Sequence, residues 1–283
     1  MPQTSDPEFF LRPEIQKGKT GLMSSTRDDW DRHWQDYSGT AEQNPAQSYR
    51  RELILSWLGR LDSGEGMRII DIGSGQGDMA AAIRERFPSA EILGIELAPS
   101  GVEISKQKVP NARFIQCNLL DHTRPPTELR GWATHAVCSE VIEHLDDPSL
   151  LLKNARAYMT EGCCLIVTAP GGPMSAFDKH IGHRKHWRPY EIEVLLREAG
   201  YIPERVTGAG FPFFNLYRCL VILRGEKLIT DVSAGPTQTA SWAATAAMVV
   251  FQRLIRLRLN SSRWGWQMVA KARVGGLKGG VTW

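Results

Sequence analysis

The spacing of apolar residues along this chain switches repeatedly between a helical and a strand-like period. Tyr49, Leu53, Trp57 and Leu61 recur at four-residue steps and predict an amphipathic helix over 46–61. Short apolar runs then alternate with helical stretches. The runs predict strands at 67–72, 91–96, 113–117, 133–138, 163–169 and 202–207. Helices are predicted at 77–87, 99–108, 148–160 and 189–199. Pro189 suits the first turn of its helix and Gly200 suits a helix stop. Such alternation predicts an α/β fold, a doubly wound parallel sheet with helices on both faces. Ligands in these sheets bind outside the carboxyl ends of the strands.

The first predicted strand ends in Asp71-Ile72-Gly73-Ser74-Gly75-Gln76-Gly77. Glycine tolerates positive φ and has no Cβ, so a chain can turn tightly there and bring backbone N–H groups against a ligand. The next helix would point its positive N-terminal end at the same place. Glu96 closes the second strand, nineteen residues after Gly77, where α/β nucleotide folds put a carboxylate to accept ribose hydroxyls. The glycines follow G-x-G-x-G, whereas nicotinamide enzymes use roughly G-x-G-x-x-G.

This acid-x-G-x-G-x-G turn resembles motif I of the class I S-adenosylmethionine (SAM) methyltransferases. The likeness continues in order through Glu96, Asn118-Leu119-Leu120-Asp121, Ser139-Glu140-Val141-Ile142-Glu143-His144-Leu145 and Leu165–Pro170, across about residues 46 to 207. It implies a Rossmann-like core that binds SAM. Gly73, Ser74, Gly75 and Gly77 would shape the site, Asp71 would face the methionine amine through water, and Glu96 would hold the ribose. Leu97, Asn118 and Leu119 would flank the adenine, and Ser139 and Glu140 would lie near the methyl exit. Trp30, Trp34 and Tyr37 share a helical face; the resemblance makes Tyr37 the lid residue over the cofactor, while packing on the core is the plainer reading.

Acid–base candidates gather in Phe177–Trp187, with Asp178, His180, His183 and His186. Histidine titrates near neutral pH and can take a proton from a hydroxyl or enol. His180 and His183 are the catalytic candidates, and His186 is expected to be a solvent-exposed loop residue. Glu140, Glu143 and His144 would share a face if that segment were helical, and carboxylate plus imidazole can hold a divalent metal. The E-x-x-E-H pattern resembles the metal site of ubiquinone-biosynthesis O-methyltransferases and of small-RNA 2′-O-methyltransferases. Metal-independent relatives carry it too, so Glu143 and His144 stand as catalytic candidates with a metal role left open and not favoured.

Four segments follow: an arm and helical lid at 1–45, the SAM-binding core at 46–207, an insertion at 208–262, and a final strand and tail at 263–283. Trp264–Ala272 resembles the family's last strand. The insertion holds Phe211, Phe213, Phe214 and Tyr217 and a predicted helix carrying Met248, Phe251, Ile255 and Leu259 on one face. It is expected to cover the acceptor; a dimerisation arm or a membrane-surface helix is the alternative.

Composition adds bounds. The chain has 283 residues, 42% hydrophobic and 23% charged, with a net charge of +3. That charge is too small to imply a nucleic-acid partner. No acidic residue follows Asp231, while Arg253, Arg256, Arg258, Arg263, Lys271, Arg273 and Lys278 do, which leaves peripheral membrane contact open. Five cysteines without a C-x-x-C pair fit a reducing compartment. No signal pattern precedes the core, and Ala240–Phe251 is too short to span a bilayer. A cytoplasmic enzyme is expected, with homo-oligomers left open. Its expected activity is methyl transfer from SAM to an O or C atom of a small, partly hydrophobic molecule. Metal-dependent RNA 2′-O-methylation and a non-catalytic SAM-binding scaffold are the alternatives.

Overall fold

A computed structural model describes residues 30–31, 44–59, 66–121, 124–233, 250–251, 253–254, 257 and 259–275, with the side chains of 226–233 outside the description. The elements run α1 (Pro45–Leu58), β1 (Arg68–Ile72), α2 (Asp78–Arg86), β2 (Glu91–Glu96), α3 (Pro99–Lys108), β3 (Arg113–Gln116) and β4 (Ala133–Ser139). They continue as α4 (Pro148–Ala155), β5 (Met159–Pro170), α5 (Ala176–His180), α6 (Pro189–Glu198), β6 (Tyr201–Ala209), α7 (Phe213–Ser233) and β7 (Gln267–Val274). One seven-stranded sheet has the order β3-β2-β1-β4-β5-β7-β6.

The two-residue period of the strands divides their side chains between two cores. Ile70, Ile72, Leu93, Ile95 and Leu165 pack on one face with Leu151 and Leu152 of α4 and Ile192, Leu195 and Leu196 of α6. Ile69, Ile92, Val137, Ile166 and Val269 pack on the other with Tyr49, Leu53 and Ile54 of α1 and Met79 and Ile83 of α2. Both faces of the central strands are therefore largely apolar, which is why Cys163–Val167 of β5 reads as an unbroken apolar run. Helix starts are fixed locally. Asn44 Oδ1 accepts from Ala46 N at 2.9 Å, and Asp147 Oδ1 accepts from Leu150 N at 2.9 Å, each ahead of a proline at the first turn.

Three expectations need correction. The sheet is mixed, because β7 runs antiparallel to both β5 and β6. Gln267, its first residue, pairs with Pro170 and Ala209, the last residues of their strands. The chain between β6 and β7 thus leaves and re-enters at the carboxyl edge of the sheet, the ligand-binding edge. Second, β5 begins at Met159, earlier than the apolar run, because Thr160, Glu161 and Gly162 form a half-buried to exposed end that carries no apolar signal. Third, Leu259 does not lie on a helix face: it forms an isolated bridge with Phe211. Met248 and Ile255 lie outside the described residues.

The insertion is also anchored in the core. Phe214 is 3% exposed, and its ring lies 5.3 Å from that of Tyr49. Glycine spacing constrains the sheet as well. A Cβ on Gly94 would stand 2.3 Å from the Phe114 ring and 2.8 Å from Ser74 Oγ in the glycine turn. Gly94→Ala is expected to displace both and to lower stability by about 1–3 kcal/mol in urea denaturation. An unchanged midpoint would show that β2 and β3 yield there without strain.

Candidate active site

The turn after β1 is held in a conformation that favours glycine. Gly73, Gly75 and Gly77 all lie at positive φ, 68°, 54° and 83°. Gly73 N and Ser74 N donate to the Ile95 carbonyl at 2.8 and 3.1 Å, which ties the turn to the end of β2. Glu96, 6% exposed, completes the tie: one carboxylate oxygen accepts from Gly75 N at 2.7 Å and the other from Ala98 N at 2.9 Å. Asp71 is buried at the base, and its Oδ2 has no hydrogen-bond partner. Burial, then the charges of Glu96 and Asp78, push the Asp71 carboxyl up to about 7. A buried, unsatisfied acid beside two further carboxylates suits a cationic ligand.

A cavity of about 880 Å³ opens above this turn. Its wall includes the expected Asp71, Gly73, Ser74, Gly75, Glu96, Leu97, Asn118, Leu119, Ser139, Glu140, His144 and His183. Gly77, Glu143 and His180 do not line it. Tyr37 and Trp34 lie outside the described residues. Trp30 does line it, with its ring edge-on to His144 at 4.7 Å. Asp31 fixes this piece by accepting from Ser100 N at 3.0 Å and Ser100 Oγ at 2.7 Å.

Glu140 adopts φ 56°, a left-handed conformation uncommon for a residue with a side chain and a source of local strain. The 3₁₀ turn comprises Ile142–His144 alone, so Glu140 does not share a helical face with Glu143 and His144. Its carboxylate instead meets Arg50 Nε at 3.4 Å and accepts from Gln267 Nε2 at 2.9 Å. Gln267 Oε1 in turn accepts from Arg50 Nε at 3.1 Å. Sequence reading missed Arg50 and Gln267. Arg50 reads as a polar position of an amphipathic helix, and Gln267 stands 217 residues away from it.

The histidines separate by position. His180, at the end of α5, is exposed. The His186 side chain is 5% exposed, contrary to the expected solvent-facing role. It turns inward because the Gly172 carbonyl, 3.1 Å from Nδ1, and Asp178, 3.6 Å from Nε2, sit beneath it. Burial pulls His183 down to about 4 and also lowers His186, so both rings are neutral near pH 7. A carbonyl can only accept, so His186 carries its proton on Nδ1 and offers Nε2 to His183 Nδ1, 3.3 Å away. His183 Nε2 is then the basic nitrogen. Burial would raise the Asp178 carboxyl, but Arg218 and Ser175 overcome it and hold it down to about 2. Arg218 Nη2 donates to Asp178 Oδ2 at 2.6 Å, linking α7 to α5.

Glu143 is fully buried, and neither carboxylate oxygen has a hydrogen-bond partner. Burial, then the Glu140 charge, push it well above the usual carboxylate range. Its ligand atoms and those of His144 and His183 lie within 4.8 Å of one another. This donor set fits a divalent cation, and it replaces Glu140 of the expected set with His183.

A family model described as "Methyltransferase domain" matches residues 46–205, and the chain belongs to that family. A trans-aconitate 2-methyltransferase of Rhodopseudomonas palustris is 25% identical over 124 residues, 43% of this chain and 46% of that protein. The chain therefore spans about half the length of that curated relative. A ubiquinone biosynthesis O-methyltransferase of Acinetobacter baumannii is 25% identical over 197 residues, 63% of this chain and 79% of that protein. Among solved structures, phosphoethanolamine N-methyltransferase 2 of Haemonchus contortus shares the fold, with a TM-score of 0.57 and 15% identity over 89% of this chain and 58% of that one. Among the described residues no helix is long and apolar enough to cross a membrane.

Glu96→Ala is expected to leave two buried amides unsatisfied and to cost about 2 kcal/mol or more of stability at pH 7, since bonds to charged groups contribute about 1.5–3 kcal/mol each. Hydrogen exchange at the Gly75 amide should accelerate in step. Native protection at Gly75 in the variant would show that the turn holds without the carboxylate.

Proposed function

We propose that this protein transfers the methyl group of SAM to an oxygen or carbon atom of a small, partly apolar acceptor. The observation that carries the reading is one cavity joining the glycine turn and Glu96 to a wall of aromatic and histidine side chains. SAM supplies the reaction with an electrophilic methyl on a sulfonium. Gly73 and Gly75 bring backbone against the cofactor. Glu96 accepts the Gly75 and Ala98 amides, and a carboxylate offers about four lone-pair sites, so it can also accept from ribose hydroxyls. Leu97, Asn118 and Leu119 border the adenine. The Arg50–Glu140 pair offers a cation and an anion to the zwitterionic methionine end, and Asp71 faces the positive charge. Trp30 borders the cofactor site from the cavity wall.

At the acceptor end His183 is neutral and has its Nε2 lone pair set by His186, so it can take the proton that a hydroxyl or enol loses as it attacks. Phe177, Ile181, Phe214 and Phe251 exclude water around it. A divalent cation at Glu143, His144 and His183 is a second reading of the same side chains, supported by the two Glu143 oxygens that accept no hydrogen bond; His183 Nε2 would then be a ligand in place of the proton acceptor. The cation would polarise an acceptor oxygen.

Calorimetric titration tests the cofactor. Below about pH 7 Asp71 keeps its proton and offers no charge to the sulfonium. SAM affinity is therefore expected to rise with pH, by up to about tenfold per unit, and to level off above about 7. Asp71→Asn should flatten the profile. Failure of SAM to bind at any pH would overturn the reading. For the chemistry, His183→Ala is expected to lower kcat by about 10²-fold or more with SAM affinity unchanged, measured by transfer of labelled methyl. Unaltered kcat would remove His183 from catalysis.

A further inference from the structure

We infer that Gln267 is a positioning residue for the methyl donor: its side-chain amide sets the Arg50 guanidinium that receives the donor's amino-acid end. The inference rests on the methyltransferase reading above and deepens it by naming what tells an intact cofactor from a bare nucleoside. Gln267 opens β7, is 1% exposed, and is followed by buried Met268, Val269 and Ala270. An apolar residue would fill such a place without the cost of burying an amide. The amide is used in full instead. Nε2 donates to Glu140 Oε1 at 2.9 Å and to the Ala169 carbonyl at 3.0 Å, and Oε1 accepts from Arg50 Nε at 3.1 Å. A carboxylate and a carbonyl accept and a guanidinium only donates, so the amide has one orientation and no flipped alternative.

Arg50 takes its aim from this amide. Its Nε lies 3.4 Å from the Glu140 carboxylate, long for a charge-assisted bond, which usually measures about 2.7–2.9 Å. Gln267 Oε1 is the nearer partner of the same nitrogen. Nη1 donates to Gln47 Oε1 at 3.1 Å, three residues earlier on α1. With Nε and Nη1 held, Nη2 meets no hydrogen-bond or ion-pair partner among the described residues, and Arg50 lines the cavity that opens above the glycine turn. That nitrogen is the one left to receive a ligand carboxylate. The backbone beside Gln267 is braced from two sides. Trp266 O accepts from Gly171 N at 2.7 Å, and Trp266 N donates to Asn215 Oδ1 of α7 at 3.0 Å. The amide is therefore a fixed spacer between a cation and an anion. Without it the guanidinium is free to close on Glu140 and answer that carboxylate instead of a ligand's.

S-adenosylhomocysteine and methylthioadenosine share adenosine and a thioether, and only the first carries the amino-acid end. Calorimetry on the full-length protein compares them. The wild type is expected to favour S-adenosylhomocysteine. Gln267→Met, close in volume, is expected to weaken that ligand about tenfold, the scale of one charge-assisted contact, with methylthioadenosine affinity unchanged. In an Arg50→Ala background the same substitution should have no further effect, because the amide acts through that guanidinium. Equal loss of both nucleosides would give Gln267 a role in folding alone and overturn the inference. So would unchanged affinity for S-adenosylhomocysteine, or a full further loss in the Arg50→Ala background. NMR of the wild type gives an answer that does not depend on how a variant folds. The Gln267 side-chain amide resonances are expected to shift with S-adenosylhomocysteine and to stay in place with methylthioadenosine; the same shift with both overturns the inference. Binding of neither nucleoside by the wild type would sink the methyltransferase reading and the inference with it. Binding of both with equal affinity would leave that reading standing and overturn the inference alone.

Discussion

The Glu96 carboxylate is the tie on which the site depends. It accepts an amide from the turn after β1 and another from the start of the segment after β2. With its charge buried, both bonds are required, because an ionised group out of water is costly unless hydrogen-bonded. The bonds hold the glycine turn at one height against β2, and the cavity floor follows from that. Glu96 also concentrates negative charge beside Asp71 and Asp78, and Asp71 answers by holding its proton to about pH 7. A site built this way is uncomfortable when empty of cations. A positively charged ligand relieves it.

The other end of the cavity is a consequence of one reversed strand. Since β7 enters the sheet at the edge where β5 and β6 finish, everything between β6 and β7 starts and ends over the carboxyl edge. α7 is held there by the Phe214–Tyr49 contact in the core and by the Arg218–Asp178 pair on α5. The same Asp178 lies 3.9 Å from His183 and 3.6 Å from His186. α7 and the histidine loop are therefore one assembly. Movement of α7 would disturb the charge that faces the histidines.

Glu140 links the two ends. Its strained backbone turns its carboxylate to Arg50 on α1 and to Gln267 at the start of β7, so one residue meets segments 217 residues apart. Strain of this kind persists only where the surroundings over-determine it.

The sequence by itself determined what depends on neighbours along the chain. Alternating apolar runs and helical stretches placed the strands and helices to within a few residues, because burial period follows backbone geometry. The Gly73–Gly77 turn was legible because three positive-φ positions in five residues exclude other side chains at little cost only if they are glycine. Glu96 was legible because β1, α2 and β2 are short enough to fix its separation from the turn. The tertiary structure alone decided what depends on distant approach. The direction of β7, the inward turn of His186, the replacement of Glu140 by His183 beside Glu143, and the Arg50–Glu140 and Arg218–Asp178 pairs join segments far apart in sequence. No local pattern encodes such partners, since a buried arginine or histidine looks in sequence like a solvated one until the fold supplies its carboxylate.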